Sequence, residues 1–66
     1  MDYQKPVYLS YDFEHCVLRS VPTKTGLIWY VKFKGEREFN AMKGSGIVTE
    51  ATLNPVIITK DEYDRF

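Results

Sequence analysis

The sequence predicts a mostly β domain: a small, strongly bent antiparallel sheet or a partly closed SH3-like or OB-like barrel of about five strands, ending in a short C-terminal helix. Three observations carry this expectation. Short runs alternate apolar and polar residues with a period of two, clusters of Gly, Pro, Thr and Asn separate those runs, and the C-terminal residues open with a helix-start pattern. An open α+β sheet is the alternative for the same pattern.

Val7, Leu9, Tyr11 and Phe13 alternate with Tyr8, Ser10 and Asp12, which places the first set on one face of a first strand. His15 to Val21 is apolar and β-branched enough for a second strand. Its inward face stays open, because Cys16 and Leu18 share one parity and Val17 and Val21 the other. Pro22-Thr23-Lys24-Thr25-Gly26 combines a fixed φ at one end with a permissive residue at the other, the chemistry of a turn.

The clearest pair is Leu27 to Phe33 with Arg37 to Met42. An odd loop at Lys34-Gly35-Glu36 sets Phe33 against Arg37, Val31 against Phe39 and Trp29 against Ala41 on the inward face. Lys32 then faces Glu38 and Tyr30 faces Asn40 on the outward one. Lys43-Gly44-Ser45-Gly46 reads as a further turn, followed by a strand from Ile47 to Leu53 in which Ile47, Thr49, Ala51 and Leu53 share a face. Asn54-Pro55 breaks it, and the continuous triplet Val56-Ile57-Ile58 predicts burial on both sides or a central sheet position. Thr59 with Glu62 is a capping box, and Tyr63 and Phe66, on one side of the helix it starts, are expected to dock that helix on the sheet.

The chain of 66 residues is expected to form a single domain, 1–66, with one modest core. Its 44% hydrophobic and 15% aromatic content is that of a folded protein, and the Tyr and Phe residues with Trp29 are expected to supply much of the buried area. A formal net charge of zero gives no global field to draw the protein to nucleic acid or an anionic membrane. The lone Cys16 forms no intramolecular disulfide, which favours a reducing, cytoplasmic setting. Met1 to Pro6 lacks the basic and apolar regions of a signal, and no apolar run has the length of a spanning helix.

Reactive constellations are sparse. His15 and Cys16 are the sole residues of their types and are neighbours, so on a strand they point to opposite faces and make no nucleophile and base pair. None of Ser10, Ser20 and Ser45 lies in a nucleophile-elbow context. Two potential zinc ligands in one dipeptide do not build a tetrahedral site, and Asp61, Glu62 and Asp64 lack calcium-loop spacing. Glu36 and Glu38 read as partners of lysines 32 and 34, and Gly44-Ser45-Gly46 as turn chemistry rather than a phosphate loop. The expectation is a non-enzyme with no metal and no cofactor.

What remains is the outward face of the central hairpin. Ile28, Tyr30, Lys32 and Lys34 on one strand, opposite Met42, Asn40 and Glu38, make it more apolar than a solvated sheet face requires. Either the C-terminal helix covers this face, or it binds a protein partner or a second copy of the chain through Ile28, Tyr30, Lys32, Lys34 and Met42. The alternative is single-stranded nucleic acid, with Tyr8 and Tyr30 as stacking platforms and Lys32, Lys34 and Arg37 tracking phosphates. The zero net charge and the interleaved Glu36 and Glu38 count against it. The sequence therefore points to an adaptor, inhibitor or accessory subunit that works by surface complementarity.

Overall fold

A computed structural model of the chain describes residues 3–41 and 46–66. Its strands are β1 (Val7–Tyr11), β2 (Cys16–Thr23), β3 (Gly26–Phe33), β4 (Phe39–Ala41) and β5 (Val56–Ile57). Two α-helices, α1 (Gly46–Leu53) and α2 (Lys60–Arg65), and a 3-10 turn over Asp12–Glu14 complete the described chain. The strands form one antiparallel sheet in the order β4-β3-β2-β1-β5. Because β4 and β5 lie at opposite edges, the sheet is open. The predicted mostly β, five-stranded antiparallel sheet with a short C-terminal helix is present, without barrel closure.

The register follows side-chain parity. Trp29 lies across from Ala41, Tyr30 from Asn40 and Val31 from Phe39, the pairing expected for the odd loop. Gly35 takes a φ of 78° in that loop, and the Glu36 N–H donates to the Phe33 carbonyl at 2.9 Å. Hydrogen-bonded strand resumes only at Phe39, later than the expected Arg37.

Leu9, Leu18 and Val31 pair in one row of the inner face, and Val7, Ser20, Trp29 and Ala41 in the next. Burying such a side chain contributes on the order of 1.5 to 3 kcal/mol each. The core is aliphatic: Val7, Leu9, Cys16, Leu18, Val31, Ala41 and Ala51 are buried, while Tyr3, Tyr11, Trp29 and Phe33 pack around them half-buried. The aromatic residues therefore rim the core more than they fill it. Tyr63 is the exception, buried on the opposite face of the sheet. Strand β2 resolves its ambiguous parity by being central and covered on both sides, with Cys16, Leu18 and Ser20 toward the inner face and Val17 buried on the outer.

Several expectations are overturned. Strand β1 stops at Tyr11, where the Ser10 hydroxyl donates to Asp12 Oδ1 at 2.9 Å and the 3-10 turn begins, so Phe13 leaves the strand and the face it was expected to share with Val7, Leu9 and Tyr11, and is exposed. His15 closes that turn in the left-handed region at φ 52° and is not part of β2. Pro22 belongs to β2 instead of the turn, tolerated because β1 reaches only to the Val7–Ser20 pair and leaves Pro22 with a sheet neighbour on one side.

The largest correction is α1. Residues 47–53, expected as a strand, are helical, with Ile47, Val48 and Ala51 set against the core. Their β-branched composition favours a strand, but the inner face of an open sheet needs a covering layer, and docking overrides propensity there. Strand β5 is likewise an exposed edge rather than a buried central strand. The Ile58 N–H turns inward to the Tyr8 carbonyl at 3.0 Å. Helix α2 starts as expected, with Thr59 Oγ1 accepting from the Glu62 N–H and Glu62 Oε1 accepting from the Thr59 N–H, both at 3.1 Å.

Candidate partner-binding face

The face of the sheet opposite α1 carries Tyr8 on β1, Val17 and Arg19 on β2, Ile28, Tyr30 and Lys32 on β3, and Asn40 on β4. Helix α2 covers part of it. The Tyr63 ring packs against Tyr8 with centroids 5.4 Å apart, and its hydroxyl donates to Glu38 Oε1 at 2.5 Å. Lys32 Nζ donates to the carbonyls of Tyr63 and Asp64 at 2.8 and 3.2 Å, meeting the orphan carbonyls at the helix end, and lies 5.0 Å from the Tyr63 ring centroid. The covering helix weighed from the sequence is thus real for the Lys32 end of the face.

Arg19 was not singled out by the sequence and is central here. Its Nε and Nη2 donate to the two oxygens of Glu38 at 2.8 Å each, and its guanidinium lies 4.3 Å from the Tyr30 ring centroid. Glu38, expected opposite Lys32, is taken by Arg19 instead. The guanidinium fork, helped by the Tyr63 hydroxyl, holds the Glu38 carboxyl down at about 2. Burial and the hydrogen bond to Glu38 push the Tyr63 hydroxyl upward in turn. Periodicity alone could not name Arg19, since β2 had no decided face.

Around this network is an open cleft of about 540 Å³, lined among others by Tyr8, Lys32, Arg37 and Lys60. Its fixed charges are largely compensated: Arg19 pairs with Glu38, and Lys60 pairs with Asp64 at 2.7 Å. Both aromatic residues expected as stacking platforms are engaged within the chain, Tyr8 by Tyr63 and Tyr30 by Arg19. Of the residues expected to bind a partner, Ile28, Tyr30 and Lys32 share this face and Lys34 lies in the adjoining loop. Met42 lies outside the described residues. Ile28 and its neighbour Leu27 are among the exposed large hydrophobic residues.

The remaining reactive groups stay apart from this face. His15 is exposed on its turn, and Cys16 is a buried free cysteine whose thiol is pushed up to about 11 by burial and the nearby Glu14. Among the described residues no helix is long and apolar enough to cross a membrane.

A small open antiparallel sheet with a helix on each face, presenting a face of mixed aromatic, aliphatic and charged residues, defines the class to which this chain belongs. Among solved structures it is similar to one chain of a crystal structure described as the complex between the Type VI effector Tas1 and its immunity protein. That likeness has a TM-score of 0.75 and 26% identity over 94% of this chain and 82% of that one. That solved structure is a complex between two proteins. No family model and no curated protein matches the sequence.

Proposed function

We propose that the protein is a small, non-enzymatic protein-binding module of the inhibitor kind, whose function is to engage a specific protein partner as one member of an effector and immunity pair does. The observation that carries this reading is the similarity, over nearly the whole chain, to a chain of such a complex. The contact surface in this reading is the uncovered end of the outer face, where Ile28 and Tyr30 supply apolar anchors, with Lys34 and Arg37 as a charged rim toward the α2 end and Lys32 engaged by the helix. A buried free cysteine fits a reducing, cytoplasmic setting. A foreign partner is favoured over a second copy, because the similar structure is described as a complex of two different proteins.

The test is affinity capture from a lysate of the source organism, with and without nuclease and at two salt concentrations, using the native chain and the double variant Ile28→Ser, Tyr30→Ser. A discrete protein retained through nuclease and salt by the native chain, and lost by a double variant of unchanged circular dichroism, supports the reading. Capture abolished by nuclease, or untouched in the folded double variant, refutes this face as the protein contact.

A further inference from the structure

On the α1 side of the sheet, away from α2, an open groove of about 400 Å³ runs between the 3-10 turn and the end of α1, lined by Tyr11, Phe13, Glu50, Leu53 and Asn54. Phe13 is 81% exposed and Leu53 71%, the two most exposed large hydrophobic side chains among the described residues. The rings of Tyr11 and Phe13 are 6.2 Å apart and tilted by 37°, presenting two aromatic surfaces to one opening. One carboxylate, that of Glu50, lines the groove with them. Glu50 accepts the Tyr11 hydroxyl, Asp12 and Glu14 flank Phe13 in the chain, and none of the three is in an ion pair among the described residues.

This contrasts with the cleft beside α2, where Glu38 and Asp64 already have cationic partners. The groove combines one exposed and one half-buried ring, an exposed leucine and a lining carboxylate without a cation. The charge left uncompensated is negative, and the neighbouring surface is aromatic and apolar. Such a surface complements a cation carried on an apolar stem: the carboxylate attracts the charge, ring faces accept it, and Leu53 covers the adjoining hydrocarbon. The same carboxylate repels phosphate, whether of nucleic acid or of a lipid headgroup.

We propose that this groove is a second contact surface, which receives an arginine or lysine side chain of a protein partner together with an adjoining apolar residue. The inference rests on the reading of the protein as a binding module, but on none of the hairpin-face residues. Tyr11 contributes ring area and holds Glu50 in place through its hydroxyl, a proton the carboxylate neighbourhood retains up to about 12. Phe13 and Leu53 supply the apolar walls. Glu50, which lines the groove and has no cationic partner among the described residues, meets the incoming cation.

The test is a titration of the isotopically labelled full chain, followed by amide chemical shifts. The probes are two acetylated and amidated pentapeptides, Gly-Leu-Arg-Leu-Gly and its counterpart with Gln in place of Arg. The arginine peptide is expected to shift the amides of Phe13, Glu50, Leu53 and Asn54 saturably, and the glutamine peptide to bind about fivefold more weakly, the worth of one exposed cation and ring contact. Phe13→Ala and Glu50→Gln should each weaken the arginine response while keeping a dispersed spectrum. Should Phe13→Ala lose its fold, Glu50→Gln decides alone. Equal binding of the two peptides, shifts centred elsewhere, or no saturable shift each overturn the proposal. None of these outcomes bears on the hairpin face, which the capture experiment tests separately.

Discussion

Arg19 and Glu38 meet as a two-pronged ion pair, Nε to Oε1 and Nη2 to Oε2 at 2.8 Å each, joining the central strand β2 to the segment that leads into the edge strand β4. Tyr63 adds its hydroxyl to the same carboxylate, so one acidic side chain ties together the sheet, its edge and helix α2. Two consequences can be measured.

The first is a pH dependence. Glu38 ionises near 2 in the folded chain, against an ordinary value of 4.5, so between those values the unfolded chain binds more protons. Its contribution is complete above about 4.5 and is lost as pH falls toward 2. Both side chains are about a third exposed, which limits the effect to on the order of 1 kcal/mol. Urea denaturation at stepped pH should show Glu38→Gln with a shallower acid decline than the native chain, and equal acid limbs would place the ion pair outside the stability of the fold.

The second concerns α2. A helix of six residues does not hold itself together, so its place depends on Tyr63. Tyr63→Phe removes one hydrogen bond and should lower stability by about 1 kcal/mol, whereas Tyr63→Ala also empties a buried site and should lose about 3 to 5 kcal/mol. Amide exchange would then show Lys60 to Arg65 unprotected in the alanine variant. Protection retained there would mean that other contacts hold the helix.

Ser20 gives the opposite expectation. Its side chain is fully buried in β2 between Val7 and Trp29, and its hydroxyl has no hydrogen-bond partner. Replacing it by Ala removes an unsatisfied group with little change of shape, so Ser20→Ala should leave the melting temperature unchanged or raise it by a few degrees. A fall would show that the hydroxyl is satisfied in solution.

Trp29 is half-buried, edge-on to Tyr3 with centroids 6.0 Å apart, and packs against the core without being enclosed by it. Trp29→Ala should therefore destabilise by about 2 to 3 kcal/mol, below the roughly 3 to 5 kcal/mol lost on removal of a fully enclosed core ring. A loss of less than about 1 kcal/mol would remove Trp29 from the core-facing role that its register assigns.

The parts of the fold legible in the sequence are those set by local chemistry or strict parity. The β3–β4 register followed from keeping Trp29, Val31 and Phe39 on one face, and the α2 start from Thr59 and Glu62. Helix α1 was hidden because Ile47, Val48, Thr49 and Thr52 have the composition of a strand. The readable sign of a helix was the spacing of Ile47, Val48 and Ala51, which a period-two reading passes over. The outer-face network was half legible: Tyr30, Lys32 and Tyr63 stood out, but Tyr30 joins the others through Arg19 and Glu38, and Arg19 lies on a strand buried from both sides. The Phe13 groove was concealed for a different reason. Alternation continued through Phe13, and only the turn after Tyr11 carries its ring out to solvent.

Strand β5 bears on how the protein behaves when crowded. The preceding Pro55 has no N–H, the Ile58 N–H is turned inward to Tyr8, and the Thr59 N–H is occupied by Glu62. A foreign strand arriving at this border finds little more than the Ile57 peptide group to pair with. Apolar side chains lie exposed there, but the backbone gives almost no template for stacking copies into fibres, so concentrated solutions can remain free of sheet-to-sheet growth along that border.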